Sequence, residues 1–301
     1  MGAAPDAHSD IFYSSEDGLR LHVRSWGTDQ PDRLPVVCLP GLTRTANDFT
    51  ALAQLLAQDA MRPRRVYAFD YRGRGLSAYD ADWRRYDIRV EAADVLDGLT
   101  VLGVERAAFI GTSRGGLILH LIAATRPSIL KGVILNDVGP SLESEGLAHI
   151  RTYLEQAPSS RSFAEAVAVQ KATHGAAFPA LSDADWDRMT RAIYRNENGV
   201  PVADYDPKLV EVVRAMDLSK PVPTMWPQFE GLAVAPMMVI RGDRSLLLSA
   251  ATVEEMARRH ADCRTVTVEG QGHPPLLETG DLPDAIGAFL EHADETARLQ
   301  P

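Results

Sequence analysis

Ser113 lies in Gly111-Thr112-Ser113-Arg114-Gly115-Gly116, a run containing Gly-x-Ser-x-Gly. A serine hydroxyl is a weak nucleophile until a base within hydrogen-bond reach takes its proton, and that base needs a carboxylate to hold its tautomer. The pattern alone is weak, so its setting matters. A strand expected over 106–110 precedes it, and a helical period over 117–125 follows. A strand turning sharply into a helix lifts the hydroxyl above the sheet edge and aims backbone N–H groups at an attacked carbonyl. Such a turn needs small neighbours, which Gly111 and Gly115 provide.

Of the eight histidines, most sit where structure alone explains them. His8 and His292 are near the termini, His22 is in an alternating strand, and His120 is in the helix after Ser113. His149 and His174 fall in a helical middle stretch, and His260 ends a helix, where a charged imidazole suits the dipole. His273 differs. It sits in Glu269-Gly270-Gln271-Gly272-His273-Pro274-Pro275, a glycine-flexed loop after the last strand, and is the candidate base. For the carboxylate, Asp243 follows a strand in Arg241-Gly242-Asp243 and is preferred. Asp137 follows the preceding strand in Leu135-Asn136-Asp137 and remains the alternative acid, because both loops leave the same sheet edge.

The elements that must position these groups alternate in period. A hairpin is expected from 11–14 and 19–25, joined across Glu16-Asp17-Gly18. Strands are expected over 35–39, 66–69, 106–110 and 131–135; the first is wholly apolar, as for a strand covered on both faces. Helices are expected over 47–59 (capped by Asn47 or Asp48), 88–102 and 117–125. From about 139 to 231 the pattern shows helical segments (164–172, 185–194, 207–216) and no good strand. Alternation then resumes with strands over 237–241 and 265–268 and helices over 250–260 and 282–292. This describes an α/β fold: a mostly parallel central sheet with helices on both faces, its core split into 1–138 and 232–301 around an inserted helical cap at 139–231.

The chain order Ser113, Asp243, His273 matches the order of nucleophile, acid and base in the α/β-hydrolase superfamily, and the sequence resembles that superfamily over nearly its whole length. Leu39-Pro40-Gly41-Leu42 sits where members usually carry His-Gly. Asp70-Tyr71-Arg72-Gly73-Arg74-Gly75-Leu76-Ser77 resembles their Asp-x-Arg-Gly-x-Gly-x-Ser stretch, and Gly272-His273 their terminal Gly-His. The resemblance implies an oxyanion hole from the backbone N–H groups of Leu42 and Arg114. Pro40 has no N–H, which agrees with a donor further along. Arg72 and Arg74 are read as tying their loop, with an anionic substrate as the other use. The insertion should cover the active edge. Trp226, Phe229, Met225, Trp186, Met189 and Phe178 are candidates for an apolar lining, Trp226 first among them.

Composition bounds the rest. The chain has 301 residues, with 31 Lys+Arg against 41 Asp+Glu and a net charge of −10, which argues against coating nucleic acid. Arg62, Arg64 and Arg65, interrupted by Pro63, read as a solvated loop. Cys38 and Cys263 are far apart, and neither a Cys/His metal spacing, His-Glu-x-x-His nor Gly-x-x-x-x-Gly-Lys occurs, so no metal or cofactor is expected. The first ten residues lack a secretory leader pattern, Gly2 lacks a myristoylation context, and no apolar run spans a membrane; a cytoplasmic protein acting on a small-molecule ester is expected. The reading is a serine esterase whose rate falls as the base protonates. Lactonase, C–C hydrolase and perhydrolase chemistry on the same triad are alternatives, and a non-catalytic small-molecule receptor is the alternative of another class.

Overall fold

The computed structural model describes residues 8–155, 159–220 and 222–299. Residues 1–7, which include Gly2 and most of the stretch expected to lack a leader, lie outside them.

The opening hairpin is β1 (His8–Ser14) and β2 (Arg20–Trp26), closed where Gly18 takes a left-handed φ of 82°. Then come β3 (Val36–Leu39), α1 (Thr50–Gln58), β4 (Val66–Asp70), α2 (Ile88–Val101), β5 (Ala107–Thr112), α3 (Arg114–Thr125) and β6 (Leu130–Asn136). The cap expected at Asn47 or Asp48 is instead Thr45, whose side chain accepts from Asn47 N and opens a tight turn that runs into α1.

The sheet runs β1-β2-β4-β3-β5-β6 and continues through β9 (Met237–Gly242) to β10 (Cys263–Val268). Every pairing from β4 onward is parallel; only β1 with β2 and β2 with β4 are antiparallel. Period-two alternation divides the core. Val37, Phe109, Leu135 and Val239 face α2, α3 and α9 (Ala250–Arg259), whereas Val36, Ile110, Ile134 and Ile240 face α1 and α10 (Leu282–Leu299). This two-sided cover is why the inner strands read as unbroken apolar runs.

The segment between β6 and β9 holds α4 (Ser144–Glu155), α5 (Phe163–His174), α6 (Asp183–Ile193), β7 (Tyr194–Glu197), β8 (Val200–Ala203), α7 (Leu209–Arg214) and α8 (Trp226–Glu230). The absence of strands expected here is corrected by the β7–β8 hairpin. Its turn is Asn198-Gly199, both at positive φ, a dipeptide that marks hairpins and could have revealed it. At its far end α8 packs on α3, and Phe229 is buried in the main core, so the chain is back on the sheet's helical layer before residue 231.

Arg64 is not solvated as expected. It is buried, with Nη2 2.7 Å from Asp294 Oδ2 on α10, while Arg62 and Arg65 remain at the surface. Both cysteines are free thiols. Among the described residues no helix is long and apolar enough to cross a membrane.

Candidate active site

β5 and β6 pair Gly111 with Leu135 and Thr112 with Asn136, so Ser113 and Asp137 are the first residues beyond one shared rung. Both leave the sheet with left-handed backbone, φ 50° at Ser113 and 54° at Asp137, a conformation that costs about 1–3 kcal/mol for a residue with a side chain. Parallel pairing continues past the strands and holds them there: Ser113 N donates to Asn136 O at 3.0 Å, and Asp137 N to Ile240 O at 2.7 Å. The glycines of the motif let α3 press against the sheet. A Cβ on Gly115 would lie 2.1 Å from Leu39 O, and one on Gly116 2.2 Å from Val138 Cγ1.

His273 Nε2 is 2.9 Å from Ser113 Oγ, and His273 Nδ1 is 2.7 Å from Asp137 Oδ2. The preference for Asp243 as the imidazole's carboxylate is therefore corrected: the alternative, Asp137, holds that place. Asp137 is 0 % exposed, and its two oxygens also accept from Gly242 N at 2.9 Å and Ser245 Oγ at 2.5 Å. Buried without such donors, a carboxylate would be strongly penalised; here three donors satisfy its oxygens and fix its position. Asp243 is exposed and shapes the turn, its Oδ1 accepting from Gln271 N at 3.3 Å. Two of the other histidines are engaged away from the nucleophile. His22 lies between Asp70 and Asp10, and burial in α3 lowers His120 to a pKa of about 4.

Beneath the nucleophile runs a buried ionic lattice. Arg114 Nε donates to Glu91 Oε2 at 2.5 Å, and Arg74 Nη1 to Glu91 Oε1 at 2.7 Å. Arg74 Nε meanwhile holds Leu42 O at 2.8 Å. Glu91 on α2 thus ties together Leu42 and Arg114, the two residues expected to stabilise an oxyanion. Arg114 N is the first amide of α3, where a helix has no internal acceptor for it. Gly41, next to Leu42, lies against the nucleophile: a Cβ there would be 3.9 Å from Ser113 Cβ. Arg72 is forked onto Asp94 and also reaches Asp80. Arg72 and Arg74 are both buried in these pairs, which is the loop-tying use rather than anion binding.

Ser113 and His273 open into a cavity of about 990 Å³. One wall comes from the core (Leu42, Arg44, Asp48, Leu277) and the other from the inserted segment (Tyr153, Phe178, Met189, Ile193). Of the expected lining residues, Phe178 and Met189 take part and Trp186 packs behind them. Trp226 is a correction: it is not in the cavity wall but meets Phe229 edge to face, 5.5 Å between centroids, under the Arg259 guanidinium. It lies on α8, which packs on α3, so its side chain belongs to the core packing. His149 and His174, set aside in the sequence as structural, line the cavity. Burial, with the neighbouring His149 and Arg44 charges, lowers His174 to about 4, so it is neutral near pH 7.

The sequence signature of the alpha/beta hydrolase family matches residues 36–286. The 3-hydroxybutyrate-oligomer hydrolase of Cupriavidus necator is 32% identical over 265 residues, 86% of this chain and 88% of that protein. The crystal structure of an alpha/beta hydrolase from Novosphingobium aromaticivorans superposes with a TM-score of 0.87 at 38% identity, covering 96% of this chain and 99% of that one. The 2-(acetamidomethylene)succinate hydrolase of Mesorhizobium japonicum is more distant, 24% identical over 91% of this chain and 93% of its own.

Proposed function

The chain belongs to the alpha/beta hydrolase family, and from that membership we propose that it is a cofactor-free serine hydrolase cleaving carboxylic esters of small to medium substrates through an acyl-enzyme. The observation that carries the reading is the hydrogen-bonded series Ser113 Oγ, His273 Nε2, His273 Nδ1, Asp137 Oδ2, opening on a cavity. In this mechanism His273 Nε2 takes the Ser113 proton as Oγ attacks the ester carbonyl. Asp137 keeps the Nδ1–H tautomer and stabilises the imidazolium. The N–H groups of Leu42 and Arg114 meet the charge on the carbonyl oxygen, and each such donor is worth about 10²–10³ in rate. His273 then returns the proton to the departing alkoxide, and the same steps with water release the acid.

The inserted segment is read as a cap, since it supplies half of the cavity wall. An ester, rather than a C–C bond or peracid, is favoured by likeness to a 3-hydroxybutyrate-oligomer hydrolase, because the bond joining such units is an ester. The test is labelling with a fluorophosphonate, followed by a panel of p-nitrophenyl esters. Ser113 should be labelled, and Ser113→Ala should lose labelling and about 10⁶ in kcat. An unlabelled wild-type protein inert on every ester would overturn the reading in favour of a receptor.

A further inference from the structure

Arg44 stands in the cavity wall beside the nucleophile. A Cβ on Gly41 would lie 3.3 Å from Arg44 Cγ and 3.9 Å from Ser113 Cβ, so the arginine stem and the serine flank one bare glycine. The guanidinium is held by Asp48. Nε donates to its two oxygens at 2.9 and 2.7 Å, and Nη2 donates to Oδ1 at 2.6 Å. A guanidinium is planar and has two edges able to grip a carboxylate, Nε with Nη2 and Nη1 with Nη2. Asp48 occupies the first and so orients the second. Among the described residues nothing bonds Nη1, and the side chain, which lines the cavity, keeps 22% exposure.

The surroundings fit a ligand at that second edge. Tyr153, His174 and Tyr194 come from α4, α5 and β7, and all three line the cavity. Gln170 Nε2 donates to both tyrosine hydroxyls, at 3.3 and 3.1 Å. Glu278, the other carboxylate near Arg44, is engaged by Arg188 Nε at 2.9 Å. Arg188 and Arg195 are each held by two carboxylates, and Arg191 and Arg244 are exposed at the rim.

We propose that Arg44 recognises a free carboxylate on the substrate, making the substrate class esters that carry an acid group a few bonds from the scissile oxygen, such as the terminal unit of a hydroxy-acid oligomer. This rests on the ester-hydrolase reading, but it is tested by binding as well as by turnover. Calorimetry with 3-hydroxybutyrate and its neutral amide on wild-type protein should show the acid binding at least about tenfold more tightly. Arg44→Gln should weaken the acid about 10–100-fold, and Arg44→Lys, which keeps the charge without the planar edge, by an intermediate factor. In kinetics, mono-p-nitrophenyl glutarate should be preferred to its methyl ester. That ratio of kcat/KM should collapse by a similar factor in Arg44→Gln, chiefly through KM. Equal binding of acid and amide by the wild type, or a preference unchanged in both variants, overturns the subsite. Failure of the ester reading shows differently, as an unlabelled Ser113, whatever the acid does.

Discussion

The ends of β6 and β9 lie side by side in the sheet, and each strand runs straight into an aspartate. After β6, Asp137 is buried in a left-handed turn with three donors converging on it. After β9, Asp243 is exposed and accepts one long bond from the backbone. The local grammar is the same; strand order separates them. Strands are about 4.8 Å apart, so a carboxylate leaving β6 is one spacing from the nucleophile on β5 and one leaving β9 is two. The β9 end contributes backbone instead. Gly242 donates its N–H to Asp137, and its bareness lets the His273 loop close, since a Cβ would lie 2.4 Å from both Gln271 O and Gly272 O.

Substitutions at the two ends should therefore give graded losses. Asp137→Asn keeps the shape but favours the wrong imidazole tautomer, and kcat on the best p-nitrophenyl ester should fall about 10⁴-fold. A loss at Asp243→Asn larger than at Asp137→Asn would reverse the comparison. Gly242→Ala should push the His273 loop off its seat, with about 10²-fold lost in kcat and a lowered Tm in thermal melts. Wild-type kinetics in that variant would mean the loop adapts freely. Ser245→Ala removes one charge-assisted bond to Asp137 and should cost about tenfold in kcat with the fold intact by circular dichroism. Smallest of all, Asp243→Asn should change kcat by no more than about twofold, as expected of an exposed turn residue.

Much of the frame was legible. The inner strands are apolar on both faces and the helices are periodic, so each of β3 to β6 and β9 falls within two residues of its expected bounds. Ser113 and His273 were also legible, because a tight strand-to-helix turn needs small neighbours and a flexed loop needs glycine. The inserted segment was harder. Its hairpin has only four residues a strand, with Pro201 in the second, and the apolar return at Trp226 and Phe229 reads the same whether it faces a cavity or a core.

Local pattern, then, determined where the chain extends, coils and bends, and which hydroxyl and imidazole stand at the bends, because periodicity and glycine act over a few residues. Which aspartate meets His273, which arginine keeps a free edge in the cavity and which are locked beneath it were decided by tertiary structure. Those choices depend on strand order and on packing between residues more than a hundred positions apart in some cases, such as Asp137 with His273. No short-range preference encodes such distances.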